Sequence, residues 1–234
     1  YGIRGEVNRW LESFLTNRSE QVMVGGEKSD SVPVGSGVPQ GSVLGPSLFL
    51  FYINDIQARL HSKVRLFADD TIIYLVITSP ADAAKLQEDL DLLSLWEERW
   101  MMSFHPDKCT VLTVTKKRKP TVSKYILHGH TLEHVDCAKY LGIHLDSKLN
   151  WHHHVQSVCK KANGMIGFLR RNLNIASTSV KSLAYMSLVR PTIEYASAAW
   201  DPFLDCDITR IEKVQRRAAE LPVTYSTGAT TRPA

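Results

Sequence analysis

Residues 65–76 read "RLFADDTIIYLV", an apolar, β-prone run broken by two adjacent aspartates, Asp69 and Asp70. The residues on either side predict two short strands, 64–68 and 71–77, that meet at the acidic pair. In a regular strand neighbouring side chains point to opposite faces, whereas a tight strand–turn–strand brings successive carboxylates to one edge. Two like charges that close raise one carboxyl's pKa unless a cation intervenes. Hard carboxylate oxygens suit Mg²⁺. The plainer alternative is a polar turn in which Asp70 and Thr71 hydrogen-bond only backbone.

Upstream, residues 35–46, "GSGVPQGSVLGP", hold four glycines and two prolines, and regular helix or strand cannot run throughout. Gly-rich backbone lets a ligand approach closely, and Gln40 offers an amide to a base or sugar. An apolar helix follows in "SLFLFYINDIQARL", with Pro46 near its start. Before the loop, Val7, Trp10, Leu11, Phe14 and Leu15 recur at helical spacing over 5–17, and "QVMVGGEKSDSVPV" predicts a hairpin turning at Gly-Gly. After the aspartates, a long helix is capped by Ser79 and Pro80 and aligns Leu86, Leu90, Leu93 and Trp100.

Strands are expected at 109–115, 123–128 and 139–145, the first two linked by the basic turn "KKRKPT". From Asn150 onward the pattern is helical: 151–172, 177–189 and 205–219, punctuated by Pro191 and Pro202. Strands and helices mix without strict alternation, so the fold class is α+β, with a boundary near 147–152.

No apolar run of about 18 residues or more is present, so no membrane span is expected. The opening "YGIRGEVNRW" has neither initiator Met nor apolar leader, and reads as a piece of a longer chain. Cys109, Cys137, Cys159 and Cys206 show no CxxC spacing and read as reduced core thiols of an intracellular protein, not as a zinc site or disulfide framework. The net charge of +4 is unevenly placed: residues 151–220 carry 10 basic against 6 acidic side chains, while residues 1–150 are nearly balanced. Lys160-Lys161, Arg170-Arg171 and Arg216-Arg217 therefore read either as a phosphate-binding face or as a solvated one.

The segments "SGVPQGSVLGPSLFLFYINDI" (36–56) and "RLFADDTIIYLV" together resemble the polymerase core of reverse transcriptases, within them the non-LTR (LINE-type) retrotransposon group. "WMMSFHPDKCTVLTVT", "AKYLGIHLDSKLNWHHHV", "KANGMIGFLRRNL", "LVRPTIEYASAAWDP" and "IEKVQRRAA" are similar to the same group, so the likeness runs from Tyr1 to about Ala219. It implies a right-hand polymerase: a partial palm over 1–149, with an antiparallel sheet and packed helices, an all-helical thumb over 150–220, and an irregular tail over 221–234. Asp69 would be the main metal-binding carboxylate, with Asp70 beside it, serving two Mg²⁺ ions (or Mn²⁺) in nucleotidyl transfer. Ser36, Gly37, Pro39, Gln40 and Gly41 would line the incoming nucleotide and template. Lys108 would lie near the triphosphate, and Tyr140, Leu141 and Gly142 would steady the primer end. The basic pairs would grip the duplex, making RNA template, DNA primer and dNTP the partners.

Family members also carry a metal-binding aspartate in an apolar strand ending Phe-Asp, just before the segment matching "YGIRG". These residues start after that point, so the chain standing alone is expected to be weak or inactive as a polymerase. A remnant that only binds nucleic acid is the alternative, and an intron-maturase-like role ranks behind it.

Lesser signals resolve plainly. Three consecutive histidines at 152–154 diverge by about 100° each on a helix, so they read as surface or packing residues. "KKRK" (116–119) reads as a soluble hairpin tip, and Trp96 and Trp100 as packing.

Overall fold

A computed structural model describes residues 2–220; the expected irregular tail at 221–234 lies outside the described residues. The mixture of helices and strands bears out the α+β class. Among the described residues, the strands form separate two-stranded ladders, in place of the continuous antiparallel sheet expected of a palm. The described residues divide into two compact units, 2–104 with 125–130, and 105–124 with 131–220. Ile143, from a strand ahead of residue 149, packs onto the helical core of the second unit.

In the first unit, helix α1 (Gly5–Leu15) leaves its apolar stripe largely open, with Trp10 stacked on Phe14 at 5.6 Å. The expected Gly-Gly hairpin is present: Met23–Val24 pairs with Glu27–Lys28, and outside it Arg18–Glu20 pairs with Val32–Val34. Helix α2 (Gly45–Ile53) runs into a 3₁₀ turn at Asn54–Gln57. Helix α3 (Pro80–Trp100) starts where the Asp82 carboxylate accepts from the Thr78 and Ser79 backbone N–H groups, both at 3.0 Å.

Ile53, Ile56, Val64 and Leu93 form the core here, with Trp96 packed beside them as expected. Two acids of α3, Asp89 and Glu97, are also buried. Glu97 accepts from the Phe104 N–H and lies 2.6 Å from His128 Nε2. The Gln87 amide donates to the Ile126 carbonyl at 2.9 Å and accepts from its N–H at 2.8 Å, tying residues 125–130 to α3.

In the second unit, Thr110–Leu112 pairs in parallel with Glu133–Val135, so 116–119 is not the tip of the hairpin expected between 109–115 and 123–128. A parallel partner reached across 20 residues leaves no local signal at the turn. Cys137–Tyr140 and Ile143–Asp146 form one hairpin where a single strand was expected. Helix α4 (His152–Asn172) and helix α7 (Asp205–Ala219) match expectation. Between them, α5 (Thr178–Ala184) passes through a π-helical turn, Tyr185–Val189, into α6 (Arg190–Glu194). Pro191 therefore does not stop the helix; the wide turn before it absorbs the missing N–H and the ring.

Val155, Val158, Ala162, Ile166, Val189, Ile193, Trp200, Val214 and Ala218 build this unit's core. Of the four cysteines only Cys159 is buried; Cys206, expected in a core, is exposed in the first turn of α7. No helix among the described residues is long and apolar enough to cross a membrane.

Candidate active site

Strands Lys63–Phe67 and Asp70–Tyr74 pair antiparallel, with Val64 opposite Ile73, Leu66 opposite Thr71 and Phe67 opposite Asp70. Only Ala68 and Asp69 connect them, and Ala68 takes a left-handed conformation (φ 51°). Strand alternation turns Val64, Leu66 and Ile73 to the core of the first unit. Phe67 and Asp70 fall on the opposite, open face. The acidic pair thus occupies the hairpin tip, one residue in the turn and one opening the second strand.

Both carboxylates are exposed, and among the described residues neither has a hydrogen-bond or ion-pair partner. The nearest basic residue in sequence, Arg65, is engaged elsewhere: it donates to the Val64 carbonyl at 2.9 Å and lies over the Tyr74 ring at 5.8 Å. Two adjacent, uncompensated carboxylates offer the hard oxygen donors a divalent ion takes, so the donor set fits Mg²⁺.

The glycine loop belongs to the same unit. Arg18 donates to the Ser36 carbonyl at 3.0 Å, the Gly37 carbonyl at 2.6 Å and the Leu15 carbonyl at 2.8 Å, fixing the loop's entry. A turn follows at Pro39-Gln40-Gly41, where the Ser42 hydroxyl donates to the Pro39 carbonyl at 2.7 Å and accepts from the Gly45 N–H at 3.0 Å. A Cβ on Gly45 would lie 2.8 Å from the Pro39 oxygen, so only glycine fits beneath this turn. Ser36, Gly37, Gln40 and Gly41 are exposed, and Pro39 is half-buried. Arg18 was not legible as a loop anchor, because its partners lie 18 and 19 residues on.

The remaining sequence-derived residues lie in the second unit. Lys108, exposed, ends a 3₁₀ turn, Pro106–Lys108. Leu141 and Gly142 (φ 45° and 84°) are the two-residue turn of their hairpin, with Tyr140 half-buried beside them. Tyr195 donates its hydroxyl to the Leu141 carbonyl at 3.1 Å, and its ring would meet a Cβ on Gly142 at 3.1 Å.

The basic pairs differ in freedom. Arg170 donates to the Arg217 carbonyl at 3.2 Å and reaches Glu220 at 3.5 Å; Arg216 pairs with Glu212 at 3.2 Å; Arg217 donates to the Asn163 amide oxygen at 2.8 Å. Lys160, Lys161 and Arg171 are exposed, with no ion-pair or hydrogen-bond partner among the described residues.

The family model for reverse transcriptase (RNA-dependent DNA polymerase) matches residues 2–145, which include the acidic hairpin, the glycine loop and the 141–142 turn. The chain belongs to the reverse transcriptase family. This reverse transcriptase chain is 30% identical over 223 residues to the RNA-directed DNA polymerase from mobile element jockey of Drosophila melanogaster, covering 88% of the chain and 24% of that protein. It is 31% identical over 223 residues to a probable RNA-directed DNA polymerase from transposon BS of the same organism, covering 89% and 24%. A probable RNA-directed DNA polymerase from transposon X-element, also of D. melanogaster, is 30% identical over 220 residues, covering 90% and 24%. The likeness to non-LTR retroelement enzymes is thereby borne out, and the chain spans about a quarter of the length of these relatives.

Proposed function

We propose that this chain supplies the acidic hairpin and the nucleotide-facing loop of an RNA-directed DNA polymerase, in which a primer 3′-hydroxyl attacks the α-phosphate of a dNTP and pyrophosphate leaves. RNA template and DNA primer are the macromolecular substrates, with a palm over 1–149 and a helical thumb over 150–220. The observation that carries this reading is the exposed, uncompensated carboxylate pair at the tip of a hairpin inside the family-matched segment.

Asp69 and Asp70 would hold Mg²⁺ or Mn²⁺, which when bound neutralises phosphate charge and makes the attacking hydroxyl more acidic. The exposed Gln40 amide hydrogen-bonds the base or sugar of the nucleotide, and Gly41, lacking a Cβ, lets backbone approach it. By the family resemblance alone, Lys108 would serve the triphosphate and the 141–142 turn the primer end. The family resemblance calls for a further carboxylate from an apolar strand ending Phe-Asp, and the 234 residues contain no Phe-Asp. A polypeptide of these residues alone is therefore weak or inactive in primer extension, since a lost transition-state contact typically costs about 10²–10³ in rate.

Two measurements test the reading. Primer extension on an RNA template by the 234-residue chain should stay near background. Mn²⁺ added to the same chain should broaden the amide resonances of residues 68–71, and Asp69→Asn should remove that broadening. Unbroadened resonances at the hairpin tip would refute the metal-holding role.

A further inference from the structure

Among the described residues, one cluster away from the hairpin brings together three kinds of metal donor. His152 opens α4, Cys206 and Asp207 lie in the first turn of α7, and one ligating atom from each falls within 4.8 Å of the others. We propose that His152, Cys206 and Asp207 form a zinc site that ties the start of α4 to the start of α7.

Asp207 is the anchor. It is 1% exposed, its Oδ1 lies 2.9 Å from His152 Nδ1, and among the described residues no donor reaches its buried Oδ2. A buried carboxylate oxygen without a donor is costly, and a bound cation is one of the few things that relieves it. The histidine hydrogen bond satisfies only the other oxygen.

The scaffold around the anchor is fixed. Val155, Val158 and Ala162 of α4 share a core with Val214 and Ala218 of α7, so the two helices are held near one another without a metal. Ligands around one zinc ion lie about 3.3–3.8 Å apart. Closing the cluster to that spacing takes about an ångström of side-chain movement. His152 is half-exposed and Cys206 exposed, and these two are free to make it.

Imidazole, thiolate and carboxylate together select a borderline-soft ion such as Zn²⁺ over Mg²⁺. Binding releases the thiol proton to solvent, while the single imidazole proton stays on the His152 ring nitrogen that does not ligate. The N-terminus of α7, whose partial charge is positive, is offset by Asp205 and Asp207 in its first turn. The neighbouring histidines play no part: His153 is exposed, and His154 is buried with its ring 4.5 Å from Trp200.

Cobalt(II) titration of the 234-residue chain reads the site directly. The expected result is a thiolate-to-metal charge-transfer band with tetrahedral visible bands at one-to-one stoichiometry, displaced by Zn²⁺. Zn²⁺ should also raise the thermal unfolding temperature, and EDTA should reverse the rise. Cys206→Ser should lose the thiolate band, Asp207→Asn should lose binding, and His153→Gln should change neither. Should Asp207→Asn fail to fold, Cys206→Ser, at an exposed position, carries the test. A chain with no thiolate band overturns the proposal, as does a band that survives Cys206→Ser or disappears in His153→Gln.

Discussion

Asp89 lies inside the first unit with no solvent exposure, and its carboxylate accepts from the backbone N–H groups of His61 and Ser62, each at 2.8 Å. Burial works against its charge, yet the hydrogen bonds from Ser62 and His61 outweigh it and hold its pKa below the ordinary 3.8. Asp89→Ala strands both N–H groups and should cost roughly 2–5 kcal/mol in urea unfolding, and Asp89→Asn, which keeps one acceptor, about 1–2. Because the folded value is depressed, Asp89's contribution is complete above pH 3.8 and is lost as pH falls toward the folded value. His154 gives a second, earlier window. Burial, then the neighbouring His144 and Lys161 charges, push its pKa below the ordinary 6.5, and its Nδ1 accepts from the His144 N–H while Nε2 has no partner among the described residues. The unfolded chain thus binds that proton more readily, and stability should fall as pH drops below 6.5. Thermal melts between pH 7.5 and 5.5 check this, with His154→Gln keeping an acceptor and flattening the slope. Neither residue was legible in the sequence. The groups that Asp89 satisfies lie 27 and 28 residues away, so nothing local marks it.

The turns at 68–69 and 141–142 are built differently. At 68–69 a lone alanine takes the left-handed conformation; at 141–142 both Leu141 and Gly142 do so, with Gly142 under the Tyr195 ring. Gly142→Ala therefore meets both a backbone penalty and a 3.1 Å contact, and should destabilise the second unit by about 1–2 kcal/mol. Adding Tyr195→Ala removes the contact and leaves the backbone part, so the double variant separates the two by chemical denaturation. The glycine loop hangs on Arg18, and Arg18→Met should speed hydrogen exchange at Gly37 and Gly41 while costing about 1–2 kcal/mol. Hairpins and helices were legible wherever their signals are local: Gly-Gly at 25–26, the acidic tip at 69–70, Ser79-Pro80 before α3. Pairing that depends on distant segments was not, as with Thr110–Leu112 beside Glu133–Val135. The π turn before Pro191 was equally hidden, since a proline reads as a stop unless the turn before it is seen.

Across the whole chain, the basic excess of residues 151–220 was legible as a sum, but its distribution among free and engaged side chains was not. Among the described residues, Arg170, Arg216 and Arg217 spend donors within the protein, whereas Lys160, Lys161 and Arg171 do not. Lys160 and Arg171 lie on one side of α4, eleven residues and about 16 Å apart along the axis. The exposed Gly164 between them has nothing within 4 Å of where a Cβ would stand. A phosphate backbone laid along that side meets a cation at each end and no side chain between. Each phosphate neutralised releases counterions, so every lost contact should lower the salt slope of binding by about one. Lys160→Ala with Arg171→Ala should therefore reduce the slope of log K against log salt by about two, measured by fluorescence anisotropy on an RNA–DNA duplex. Arg216→Ala, whose guanidinium is already paired with Glu212, should change it little, and equal losses from both variants would mean the basic surplus acts as an unstructured cloud of charge.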